Sequence, residues 1–147
     1  MKIVIALGGN ALGRGKEDYK ELVRKIKETS EKIIKIIKNN KVVITHGNGP
    51  IVGELLLQNE IARKYVPEMP LNVLDAETEG LLGYLLQEEL LNQLRKNKIK
   101  RNVVTILTQV LVSGKDSAFE NPTKFIGHFY SAKEAEKLKK KFTIKKD

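Results

Sequence analysis

The chain has no cysteine, no tryptophan, four prolines and two histidines in 147 residues. Without cysteine there are no disulfides and no thiolate metal sites. Two histidines as placed here, His46 and His128, do not make a metal site. No apolar run approaches the ~18 residues of a membrane span. The N-terminus enters a strand-like run within two residues and shows no signal-peptide pattern, so a soluble cytoplasmic protein is the expectation. The P-loop pattern Gly-x-x-x-x-Gly-Lys-Ser/Thr is missing, and no Ser/His/Asp set or paired acid–base carboxylates can be read.

Apolar residues make up 41% and charged residues 31%, which describes a globular chain with one core-forming domain. The net charge is +9. Its lysines are spread along helices and the C-terminal tail, with no interleaved aromatics. That distribution speaks against nucleic acid and for attraction of small anions, or for the Lys-, Glu- and Ile-rich composition of proteins from hot habitats. The cluster Lys137, Lys139, Lys140 and Lys141 reads as a solvated helix end.

The pattern predicts a strand over Lys2–Leu7 and a helix from Glu17 to Asn39, whose apolar positions recur at three and four residues. A second strand, Lys41–Thr45, has almost no polar interruption, as in a covered parallel sheet. A helix opening at Pro50 runs to Tyr65, and a third runs from Ala76 to Lys98. On this third helix Gly80 and Gly83 permit close approach of a neighbour, and Asp75, Glu77 and Glu79 read as first-turn acids. A third strand is predicted over Val103–Val112. The order β-α-β-α-α-β implies a three-layer α/β domain with right-handed crossovers. After Ser113 come loops, a helix over Ala132–Lys141 with a Ser131/Glu134 capping box, and a strand beginning at Phe142. Residues 1–113 are therefore one lobe and 114–147 a second, partial unit.

Both early strands end in a glycine turn that opens a helix. The first turn is Gly8-Gly9-Asn10-Ala11-Leu12 and the second is His46-Gly47-Asn48-Gly49-Pro50. Such units aim backbone N–H groups at one point, outside the carboxyl ends of the strands. Glycines let a ligand approach the main chain, and Asn10 and Asn48 can donate side-chain N–H bonds to oxyanions. A glycine turn alone also serves simple geometry; two in matching positions favour an anion site. The second has its third glycine one residue late for a dinucleotide fingerprint. His46 could be a base, but a histidine that fastens the turn is the simpler reading. By composition Lys124, in Asn121-Pro122-Thr123-Lys124, is a surface lysine on a loop able to fold over the strand ends.

These motifs resemble the carbamate kinases of the amino acid kinase superfamily. The resemblance spans the chain: Ile5–Leu12, Val43–Pro50, Gly80–Tyr84, Val103–Gln109, and Asn121–Lys124 with Phe129-Tyr130. It implies an αβα sandwich with a mostly parallel sheet, truncated, with the start of a small protruding subdomain. It implies reversible phosphoryl transfer between ATP and carbamate, giving carbamoyl phosphate and ADP with Mg²⁺. Gly8, Gly9, Asn10, Ala11, Gly47, Asn48 and Gly49 would bind carbamate and the phosphoryl group, and Lys124 would be catalytic. Carbamate is already an anion and needs no general base; two anions in contact need positive potential.

The departures concern Ile51, where the family usually has glutamine; the acidic Glu77-Thr78-Glu79; Phe125 and His128, where prolines are common; and length. Family members are roughly twice as long, and their second half binds the nucleotide. The resemblance therefore implies that ADP, ATP and Mg²⁺ are not held by this chain alone. It also implies a homo-oligomer or a separate C-terminal half as partner. The alternatives are a non-catalytic binding or assembly module and another amino acid kinase acting on a carboxylate; Asn121–Lys124 argues against the latter.

Overall fold

The structure is a computed structural model and describes residues 1–13, 17–121, 123, 126 and 130–139. Strand β1 (Lys2–Leu7) is followed by the single helical turn α1 (Gly9–Leu12) and the helix α2 (Tyr19–Ile37). Strand β2 (Lys41–His46) leads into α3 (Gly49–Ala62) and the long α4 (Leu71–Lys96). The 3-10 turn Ser117–Phe119 and the short helix α5 (Ala132–Leu138) complete the described elements.

β1 and β2 pair in parallel, from Lys2 opposite Lys41 to Leu7 opposite His46. A parallel pair needs a crossover, and α2 supplies it. Asp18 caps α2 by accepting from the Glu21 N–H at 2.9 Å. The apolar stripe Leu22, Ile26, Ile33, Ile34 and Ile37 is buried. It meets Leu82, Leu85, Leu86, Leu90 and Leu94 of α4 to form the core. Ile5, Leu7, Val42 and Ile44 of the sheet pack on this core. On the exposed face of α2, Arg24 bridges Glu21 and Glu28.

The two strands have unequal faces. Ile3, Ile5 and Leu7, with Val42, Ile44 and His46, are at least half-buried, while Val4 and Val43 on the other face are 69% and 59% exposed. The near-continuous apolar run of β2 is therefore covered by helices on one side only.

Two expectations need correction. No strand forms over Val103–Val112; the only described sheet is the β1–β2 pair. The β propensity of this run is real, but a strand needs a paired edge, and here the run lies against α4. The Thr105 hydroxyl donates to the Gly83 carbonyl at 2.9 Å, and the Thr108 N–H donates to Glu79 at 3.0 Å. Gly83 is where the neighbour approaches: a Cβ there would sit 2.2 Å from Thr105 Cγ2. Second, α4 begins at Leu71, five positions before Ala76, because nothing after Pro70 interrupts a helix. Asp75, Glu77 and Glu79 thus stand beyond the first turn. The Ser131/Glu134 capping box forms as read. The strand expected from Phe142 lies outside the described residues.

Candidate functional site

The in-register pairing sets the two glycine turns side by side. Leu7 and His46 are the last partners of the ladder, and Gly8 and Gly47 follow them directly. Gly8 precedes α1 in an extended conformation, φ −94° and ψ −177°. No left-handed φ occurs at Gly8, Gly9, Gly47 or Gly49; among the described glycines Gly13 has one, at 110°. A Cβ added at any of the four would meet nothing within 4 Å. Neither backbone conformation nor crowding within the described residues asks for glycine at these places. What their bareness provides is open main chain.

The turns differ as electrostatic devices. α1 has four residues and contributes almost no macrodipole, so the first turn offers backbone groups alone. α3 has 14 residues, with Pro50 in its first turn and no acidic residue there. Its own first turn adds no carboxylate to its positive end at Gly49. Each turn is anchored to a different helix. Thr29 of α2 donates to the Ala11 carbonyl at 2.9 Å.

Asn48 departs from the donor role expected for it. As the residue before α3 it would ordinarily cap that helix, but its side chain makes no cap bond. It reaches across to α4 instead. Nδ2 lies 3.1 Å from the Asp75 carbonyl, 2.8 Å from Asp75 Oδ1 and 2.7 Å from Thr78 Oγ1. The amide hydrogens are committed to these acceptors. Thr78 is buried, and its hydroxyl proton goes to the carbonyls of Leu74 and Asp75 at 3.0 and 2.9 Å, leaving its lone pairs for Asn48. The anchoring roles of Asp75, Thr78 and Thr29 were not read from the sequence. Their partners lie 18 to 30 positions away in the chain, beyond any local pattern.

The remaining candidates fall as follows. His46 Nδ1 is 3.4 Å from the Gly47 carbonyl, a long contact near the weak limit, within the second turn. Glu79 accepts from the N–H and hydroxyl of Thr108, so that carboxylate is engaged with the following segment. Glu77 is exposed. Gly9, Asn10 and Ala11 form α1; the side chain of Asn10 and the whole of Lys124 lie outside the described residues. Among the described residues no group of three or more His, Asp or Glu side chains could hold a metal.

A cavity of about 220 Å³ opens behind the turns, lined by Leu12, Leu22, Ile51, Leu55 and Thr78, with Glu17 and Glu54 at its wall. Glu17 pairs with Lys25. Its apolar lining and carboxylates suit it poorly to an anion, and none of the turn glycines 8, 9, 47 and 49 faces it. The open turns, not this cavity, are the place for negative oxygens. Among the described residues no helix is long and apolar enough to cross a membrane.

Similarity to known proteins follows the same outline. The carbamate kinase of Pyrococcus horikoshii is 46% identical over 153 aligned residues, covering 99% of this chain and 49% of the relative. That of Trichomonas vaginalis is 52% identical, covering 95% of this chain and 46% of its own length. Among solved structures, carbamate kinase from Giardia lamblia bound to citric acid superposes with a TM-score of 0.88 at 45% identity. It matches 93% of this chain and 45% of the Giardia chain. The same enzyme bound to AMP-PNP gives 0.80. The chain thus spans about half the length of the relatives it matches. The profile of the Amino acid kinase family matches residues 1–141, and the chain belongs to that family.

Proposed function

We propose that this chain is the carbamate- and phosphoryl-binding half of a carbamate kinase, and that the nucleotide is held by a second half that the longer relatives carry. The observation that carries this reading is the pair of adjacent glycine turns, bare of side chains for no internal reason. Similarity to carbamate kinases over nearly the whole chain supports it. Binding of citric acid, a polyanion, by the Giardia relative is in keeping with an anion site in this fold.

In the forward direction a carboxylate oxygen of carbamate attacks the γ-phosphorus of ATP, and the bond to the bridging oxygen breaks to release ADP. No proton need be removed from carbamate. The main-chain N–H groups of Gly8, Gly9 and Asn10 and of Gly47–Gly49, with the positive end of α3, offset the charge of two anions in contact; the Ala11 N–H is already given to the Gly8 carbonyl at 2.9 Å. Lys124 would reach in from the protruding unit, residues 114–147, to add positive charge. Mg²⁺ in such reactions sits largely on nucleotide phosphates. The described residues do not fit a protein-held metal, and no step is assigned to one. The setting is cytoplasmic, and the partner of the chain is a second copy of itself or a separate C-terminal half.

The test is complementation. The chain is mixed or co-expressed with the second half of the Pyrococcus horikoshii carbamate kinase, and ATP formed from ADP and carbamoyl phosphate is followed. Turnover is expected in the mixture and not in the chain alone. Lys124→Ala should abolish turnover of the mixture with little change in melting temperature; equal losses of both would make Lys124 structural. A non-catalytic module is the conclusion if both halves fold, associate and stay inactive.

A further inference from the structure

We infer that Asn48 is a specificity-determining residue that recognises an amino group on the substrate through its carboxamide oxygen, and that Asp75 and Thr78 are the positioning residues that impose this. The inference rests on the anion-site reading above and names which small oxyanions the site prefers. An asparagine beside an anion ordinarily offers its N–H₂. Here three acceptors, the Asp75 carbonyl, Asp75 Oδ1 and Thr78 Oγ1, hold Nδ2 at 2.7–3.1 Å. Two hydrogens are shared among three oxygens, so none is left for a ligand. Flipping the carboxamide would set its oxygen against the Asp75 carbonyl and carboxylate, oxygen facing oxygen. The side chain is therefore locked in one sense. The polar atom left over, Oδ1, accepts and does not donate.

The consequence is a division of labour at the second turn. Backbone N–H groups meet the negative oxygens. The asparagine oxygen meets a hydrogen-bond donor. A ligand that carries both, an oxyanion with an –NH₂ on the same small carbon centre, satisfies the two together. One with a methyl group in place of the –NH₂ leaves Oδ1 unmatched and desolvated, the situation in which binding sites discriminate best. Asp75 touches no ligand in this account. It acts through Asn48, and its carboxylate, which alone would repel an anion, is turned to hold an amide.

Carbamoyl phosphate and acetyl phosphate are the matched probes, since they differ by –NH₂ against –CH₃, and inorganic phosphate reports the anion site alone. Their dissociation constants are measured on the full chain by NMR titration of its backbone amides. One hydrogen bond is worth roughly a 5–10-fold ratio in favour of carbamoyl phosphate. Asp75→Ala removes the acceptor at 2.8 Å and the carboxylate that opposes a flipped carboxamide, while the main-chain carbonyl of residue 75 and Thr78 Oγ1 remain; the hold on Asn48 is loosened, and the ratio should fall toward one while phosphate still binds. Asp75→Asn keeps an oxygen acceptor for Nδ2 and should restore the ratio, which guards against a variant that merely loosens the fold. In the wild-type chain the Asn48 side-chain N–H₂ signals should be protected from exchange and stay unmoved by phosphate. A wild-type ratio near one, an unchanged ratio in Asp75→Ala, or N–H₂ signals that move with phosphate overturns the inference while leaving the anion site intact. Failure of all three probes to bind overturns the anion-site reading and the inference with it.

Discussion

Residues 1–100 and the described residues that follow them are stabilised in opposite ways. The first region contains every buried apolar side chain described, from Leu7 to Leu94, with α2 and α4 closing over one face of the sheet. From Arg101 onward no described residue is buried. Val104, Ile106, Val110, Leu111 and Val112 are 59–100% exposed. The later segment has the apolar content of a core strand, yet beyond Val103, which packs on the core, its described side chains stay largely outside it. It is held at a few points: Arg101 donates to the carbonyls of Asn40 and Lys38, Thr105 to Gly83, and Thr108 to Glu79. Beside the well-packed core, both this segment and the Val4/Val43 face of the sheet leave apolar surface open, a condition typical of interaction surfaces.

The contrast is broken most severely from the packed side. Leu82 has no exposed surface and sits where α4 meets α2. Leu82→Ala should cost about 2–5 kcal/mol, because both the transfer energy and the cavity term are lost. Urea unfolding followed by circular dichroism measures it. A loss under about 1 kcal/mol would mean the α2–α4 seam is not the main core.

The next effect lies at the joint between the two regions. A Cβ at Gly83 would clash with Thr105 Cγ2, so Gly83→Ala should destabilise by about 1–3 kcal/mol through overpacking. Thr105→Ser removes the offending methyl and keeps the hydroxyl that donates to Gly83. Combined with Gly83→Ala it should recover most of the loss. A purely additive double mutant would show that the segment does not pack there in solution.

How far the sequence revealed this follows from the range of the interactions. β1 was legible to the residue, because a short apolar run and the glycine after Leu7 are local signals. β2 and the body of α2 were nearly so, and the Ser131 capping box was read in full. The adjacency of the turns could be anticipated from two strands linked by a helix. Val103–Val112 misled because β propensity records a side-chain preference and cannot report whether an edge is available. The start of α4 was misplaced because clustered acids imitate a first turn. At the site, glycine positions were visible, while the commitment of Asn48 to Asp75 and Thr78 was not. That bond joins residues 27 and 30 positions apart.

Glycines sharpen the comparison further. Gly47→Ala places its Cβ in open space without a left-handed backbone. Folding stability should rise by about 0.4–1 kcal/mol, through loss of unfolded-state freedom. Phosphate binding should weaken at the same time, as the methyl covers main-chain N–H groups. The same change thus gives opposite signs of stability at Gly47 and Gly83. If Gly47→Ala destabilises the chain and leaves binding intact, the bareness of the turn is structural.

The smallest effect on stability belongs to the open side. Leu111 is fully exposed and Val110 nearly so. Val110→Lys with Leu111→Lys removes no packed contact, so unfolding free energy should stay within about 0.5 kcal/mol of the original. The solution behaviour should change more. Two added charges on an apolar patch oppose burial against another polypeptide, whether a second copy or the second half of a longer relative. Light scattering should show less self-association, and complementation by the Pyrococcus second half should weaken. The pairing of these readouts is what gives the test force. Unchanged stability with lost association identifies the patch as a contact surface. A matching loss of stability would instead place these side chains inside the fold, and the division between a packed side and an open side would fail.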